Sequence, residues 1–112
     1  MNKKFQLDHI SQILVQNYRQ IYGDAIVRIL LYGSYARHEE CDDSDIDVVA
    51  IVNGDREELQ KKLKQMWDIV SDIGMENDVV ISPTVVPYDE FEKYKNVLPY
   101  YMNIEKEGKL IG

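Results

Sequence analysis

IVRILLYGSYARHEECDDSDIDVVAIV, residues 26–52, consists of two apolar runs separated by a polar segment that begins with Gly-Ser and ends in Asp-Ile-Asp. The runs Ile26–Tyr32 and Ile46–Val52 are rich in Ile, Val and Leu and have strand length, so both read as buried strands. Gly33 lets the chain turn sharply off the first strand. A helix opening at Ser34 would point unpaired N–H groups and a hydroxyl outward, and such an end attracts phosphate. Residues two apart on a strand face the same way, so Asp45 and Asp47 set two carboxylates side by side on one face. Like charges in that position repel unless a cation joins them, and Mg2+ favours carboxylate oxygens together with the phosphates of a substrate.

The segment GSYARHEECDDSDIDVVAIV, with Gly-Ser, ten residues and then Asp-x-Asp, resembles the minimal nucleotidyltransferases, the MNT branch of the DNA polymerase β superfamily. The resemblance implies an α/β (α+β) polymerase β-like fold, a small mixed sheet with helices packed on it. It also implies a metal-dependent transfer of a nucleoside monophosphate from a triphosphate, ATP as substrate, to a hydroxyl, with pyrophosphate leaving. In that scheme Gly33 and Ser34 cradle the phosphates, Arg37 reaches one of them, and Asp45 and Asp47 hold Mg2+, two ions in all. The superfamily generally adds a third carboxylate from a later strand. Asp78 is the candidate, with Glu76 as competitor on the same face by period two. Many such domains are antitoxins paired with a HEPN-type ribonuclease toxin, which some inactivate by attaching AMP to a tyrosine. One departure is plain: the family usually has glycine after Ala-Arg, and this chain has His38.

Outward from the motif, the layout reads α-β-α-β-α-β-α. Leu7, Ile10, Leu14 and Ile21 recur at helical spacing before Gly23-Asp24 stops the first helix. Asp55 with Glu58 three residues on forms a capping-box pattern. Leu59, Leu63, Met66, Val70 and Ile73 then mark a helix predicted over Arg56–Ile73 and closed by Gly74. A solvated face accounts for Lys61, Lys62 and Lys64 on that helix. Residues 78–86 read as a third strand, which Pro83 assigns to an edge or a bulge. DEFEKYKNVLPYYMNIEKEGKLIG resembles the family's ending, a helix and then a short helix closing on Glu-Gly. His9, on the first helix, reads as a surface residue.

The length of 112 residues suits one domain with one modest core. Thirteen basic and twenty acidic residues give a net charge of −7, a field that disfavours nucleic acid as direct substrate and suits Mg2+ or a basic partner. No apolar stretch approaches the roughly 20 residues of a membrane span, and nothing resembles a signal peptide. Cys41 is the only cysteine, which excludes an internal disulfide and a cysteine-based zinc site. A reducing cytoplasm is the expected home.

Tyr88, Tyr94, Tyr100 and Tyr101 crowd near the end with Phe91, as core beneath the last helices or as a partner surface. Three functional readings follow: an enzyme modifying a protein tyrosine, a non-catalytic antitoxin acting by contact, and an enzyme modifying a small molecule such as an aminoglycoside. The intact Gly-Ser and both aspartates favour an enzyme.

Overall fold

A computed structural model describes residues 3–32, 46–77 and 79–112, with side chains from His9 onward in the first segment. Its elements run α1 (Lys3–Tyr22), a short 3-10 turn (Gly23–Ala25), β1 (Ile26–Tyr32), β2 (Ile46–Val52), α2 (Arg56–Asn77), β3 (Ile81–Pro87), α3 (Tyr88–Tyr94), α4 (Pro99–Glu107) and β4 (Lys109–Leu110). The strands form one mixed sheet in the order β3-β2-β1-β4. β1 pairs antiparallel with β2 and β4, while β2 and β3 run parallel. This is the mixed α+β architecture expected from the resemblance. Both motif strands have the limits read from the sequence, because each apolar run ends where polar residues begin.

The sheet is covered on both faces, and strand alternation divides its residues between two cores where the chain length suggested one. Ile29, Leu31, Ile46, Val48, Ala50 and Val85 pack under Ile10, Leu14 and Tyr18 of α1 and Leu63, Met66 and Val70 of α2. Leu30, Val49, Ile51 and Val86 face the other way, onto Phe91 of α3 and Tyr101 and Ile104 of α4. Burying each such aliphatic side chain contributes about 1.5–3 kcal/mol, and near-complete burial on both faces accounts for the continuous apolar runs.

α1 ends at Gly23, whose φ of 62° is the left-handed conformation that closes a helix at little cost for glycine. Asp55 caps α2 as expected, its carboxylate accepting from the backbone N–H of Glu57 at 3.2 Å and of Glu58 at 3.4 Å. Lys61, Lys62 and Lys64 are exposed, and Lys61 lies 3.9 Å from Glu57 one turn back, as befits a solvated face. His9 is exposed as well.

The far end of α2 departs from the sequence reading. The helix continues past Gly74 to Asn77, whose side-chain amide donates to the Ile73 carbonyl at 2.8 Å. Gly74 is a place of close approach rather than a stop: a Cβ there would lie 2.5 Å from the Val79 carbonyl oxygen. The Val79 N–H donates to the Gly74 carbonyl at 3.0 Å, and this contact sends the chain back into β3. The strand therefore starts at Ile81, later than residue 78. β3 is an edge strand, which is where Pro83 costs no ladder bond on its open side.

The two final helices are present as read, but β4 was not foreseen. It lies on the free edge of β1, with Leu110 opposite Leu30 and Lys109 opposite Leu31. The Ile111 N–H donates to the Ile29 carbonyl at 2.8 Å, and the Ile29 N–H to the Gly112 carbonyl at 2.9 Å.

Candidate functional site

β1 ends at Tyr32, the residue that precedes Gly33-Ser34 in the sequence, and β2 begins at Ile46, the residue after Asp45. Asp47 stands directly across the β1–β2 ladder from Tyr32, and in the parallel register it lies beside Ser82 of β3. Cross-strand and in-register neighbours share a face. Asp47 thus belongs to the face carrying Leu30, Val49 and Val86, the one covered by α3 and α4, and it is only partly buried at the strand's beginning.

Four hydroxyl-bearing residues gather around it. The Tyr32 hydroxyl lies 3.2 Å from the Tyr100 hydroxyl, with the two rings edge to face at 6.1 Å. Tyr100 sits in the first turn of α4, is 43% exposed, and lies near the Thr84 side chain. Ser82 and Thr84 alternate on β3 and are both partly buried. Burial pushes the Tyr100 phenol well above its ordinary range, and the bond to Tyr32 and the negative charge of Asp47 push the same way.

Of the residues expected at the site, the described structure brings Asp47 onto the exposed end of the sheet, in the strand position the sequence assigned. Gly33, Ser34, Arg37, His38, Asp45 and Asp78 lie outside the described residues. Glu76 is corrected: it is exposed in the last turn of α2, so it has no place on a β3 face. A helix that runs three residues beyond Gly74 removes the period-two relation on which the competitor rested. Tyr32, Ser82 and Thr84 were not singled out, and Tyr100 was named only among the C-terminal aromatics, as core or partner surface. Ser82 and Thr84 did carry a signal, two hydroxyls at period two in an otherwise apolar strand; the place of Tyr100 beside Tyr32 had none, since it depends on how α4 returns to the sheet.

Among the described residues no group of three or more His, Cys, Asp or Glu is gathered to hold a metal ion. Asp47 nevertheless supplies a hard oxygen donor with hydroxyls about it, and Asp45 precedes it by two residues. That donor set fits a hard cation such as Mg2+ rather than a soft metal. No helix among the described residues is long and apolar enough to cross a membrane.

Against this geometry, residues 7–111 match the model of the nucleotidyltransferase domain family, and the chain belongs to that family. Two proteins of Methanocaldococcus jannaschii, MJ1305 and MJ0141, both named as candidate protein adenylyltransferases, are similar to it. MJ1305 is 31% identical over 80 residues, covering 71% of this chain and 54% of that protein. MJ0141 is 33% identical over 81 residues, covering 66% of this chain and 80% of that protein. The match to MJ1305 thus spans about half of that protein's length. The fold is similar to a chain in the crystal structure of a toxin-antitoxin with AMP-PNP, with a TM-score of 0.54 and 14% identity over 88% of this chain and 70% of that one.

Proposed function

We propose that this chain is a nucleotidyltransferase that moves AMP from ATP to a hydroxyl, a tyrosine of a partner HEPN-type ribonuclease toxin, and so acts as its antitoxin. The observation that carries the reading is the position of Asp47, at the beginning of β2 and across from the last residue before Gly33-Ser34. A carboxylate and a phosphate-binding turn at one end of one sheet is what triphosphate chemistry requires. Family membership, the two adenylyltransferase-like relatives and the toxin-antitoxin fold neighbour support the same direction.

Backbone N–H groups at Gly33 and Ser34, with the Ser34 hydroxyl, bind the β and γ phosphates, and Arg37 holds a further phosphate oxygen. Asp45, Asp47 and Asp78 are the residues that would hold Mg2+, two ions. Bound there, Mg2+ would supply neutralisation of the phosphate charge and a template for the acceptor and leaving oxygens. The part of the carboxylates is to hold that cation at the end of the sheet, and positioning with electrostatics supplies most of the rate. No covalent enzyme intermediate is needed.

A second reading, neutralisation by contact alone, draws on one observation: Val97, Leu98 and Tyr100 are exposed where the chain enters α4. The two readings separate on durability. A partner ribonuclease treated with this protein, ATP and Mg2+ should gain mass in AMP units and stay inactive after separation, whereas Asp47→Asn should bind without lasting inactivation. A binding module works only at equal dose, needs no ATP, and releases active toxin on dissociation. Label arriving instead on a small molecule from a cell extract would move the acceptor to the aminoglycoside-like class.

A further inference from the structure

The acceptor chemistry proposed for the partner, a phenolic hydroxyl beside the acidic end of β2, already exists within this chain. The ladder sets Tyr32 directly opposite Asp47, and the Tyr32 hydroxyl is 3.2 Å from that of Tyr100. Tyr100 comes from a different element, the first turn of α4, and its ring packs edge to face on Tyr32 and on Tyr101. We infer that Tyr100 is an intramolecular acceptor, so that the protein adenylylates itself at this residue. The inference rests on the nucleotidyltransferase reading above and adds a modification site to it.

Three features single out Tyr100. Its hydroxyl is gathered with those of Tyr32 and Thr84 on the Asp47 face of the sheet. At 43% exposure it leaves room for a nucleotide, unlike Tyr101, which is 8% exposed and hydrogen-bonded to Arg56 at 3.3 Å. Its ring is also held in place by two aromatic neighbours, which lowers the ordering cost of presenting the oxygen. Tyr32 is the weaker candidate because it belongs to the ladder itself and is less exposed.

The step balances without an added oxidant or reductant. The Tyr100 oxygen forms a bond to the α-phosphorus of a nucleoside triphosphate, the bond between that phosphorus and the bridging oxygen to the β-phosphorus breaks, and pyrophosphate leaves with the electron pair. The phenolic proton is released to solvent, Tyr100 being 43% exposed. The product is a tyrosyl phosphodiester beside Asp47.

Intact-protein mass spectrometry after incubation with Mg2+ and each of ATP, GTP, CTP and UTP tests this, with a partner ribonuclease in a parallel tube. The expected result is a gain of one nucleotide per chain, placed on Tyr100 by fragmentation, at a first-order rate unchanged over a tenfold range of protein concentration. Tyr100→Phe keeps the ring and its packing, and should remain at the unmodified mass, as should Asp47→Asn. Mass on another residue, or a rate rising with protein concentration, overturns the inference. So does an unmodified parent chain: if it still labels the partner, only the self-modification is wrong, and if it labels neither, the nucleotidyltransferase reading fails with it. Fragmentation of the parent decides the matter even if Tyr100→Phe folds poorly.

Discussion

Ser82 of β3 lies in register beside Asp47 of β2, so the neighbour of the acidic residue across the parallel ladder is a hydroxyl and not a second carboxylate. Adjacent strands are about 4.8 Å apart, close enough for two carboxylates there to share a cation or to repel. Ser82→Asp should therefore lower stability without metal by about 0.2–1 kcal/mol, as like charges on neighbouring strands do. Added Mg2+ should recover that loss and stabilise the variant more than it stabilises the parent. Thermal midpoints with and without Mg2+ check this, and an equal Mg2+ response in both proteins would remove Asp47 from the cation site.

The third carboxylate can be assigned by a pair of substitutions. Glu76 is exposed in the last turn of α2, where a negative charge also opposes the helix dipole. Glu76→Gln should leave nucleotidyl transfer unchanged. Asp78→Asn should reduce it at least tenfold, about 1.4 kcal/mol of barrier. Rates with labelled ATP decide between them, and a loss in Glu76→Gln would require the end of α2 to unwind when nucleotide binds.

What the sequence made legible, and what it did not, follows from how local each signal is. β1 and β2 were readable to the residue because a run of Ile, Val and Leu bounded by Gly, Asp or Asn carries its own limits. The end of α2 was not, because glycine serves both as a helix stop and as a place where backbone passes close by, and only the position of Val79 distinguishes these. β4 spans Lys109–Leu110, too short for any periodicity, and exists because the edge of β1 offers it a partner. At the site, Asp47 and its strand were accessible to pattern, whereas its neighbours Tyr32, Ser82, Thr84 and Tyr100 come from three elements and meet only through register.

Two buried phenols predict an alkaline limit to stability. Tyr18 donates to the Thr84 carbonyl at 3.0 Å and Tyr22 to the Leu59 carbonyl at 2.8 Å. Burial pushes Tyr22 up from 10.0 to about 12 and Tyr18 higher still. Above pH 10 the unfolded chain therefore releases protons that the folded one keeps, and stability falls as pH rises. Their contribution is complete below pH 10 and is lost as pH passes through the folded values. Denaturation midpoints between pH 8 and pH 12 should decline above 10. Tyr22→Phe should flatten part of that decline while costing about 1 kcal/mol at neutral pH for the lost hydrogen bond.

Gly74→Ala sets helix propensity against close packing, and the magnitudes decide the outcome. Alanine favours a helix interior by about 1 kcal/mol over glycine. Here, however, the added Cβ would meet the Val79 carbonyl oxygen at 2.5 Å, and that oxygen belongs to backbone that cannot turn aside as a flexible side chain would. Relieving the contact means moving Val79 away from the carbonyl of Gly74, to which its N–H donates at 3.0 Å. Overpacking of this kind typically costs about 1–3 kcal/mol, more than the propensity gain. The displacement would also reach the site, since the carbonyl of the next residue, Val80, accepts from the Ile46 N–H at 2.8 Å, one residue before Asp47. The variant should therefore unfold at lower denaturant and transfer nucleotide more slowly, whereas Met75→Ala, at an 83% exposed position of the same turn, should do neither. A higher midpoint for Gly74→Ala in urea would mean that α2 ends at Gly74 after all, as the sequence suggested.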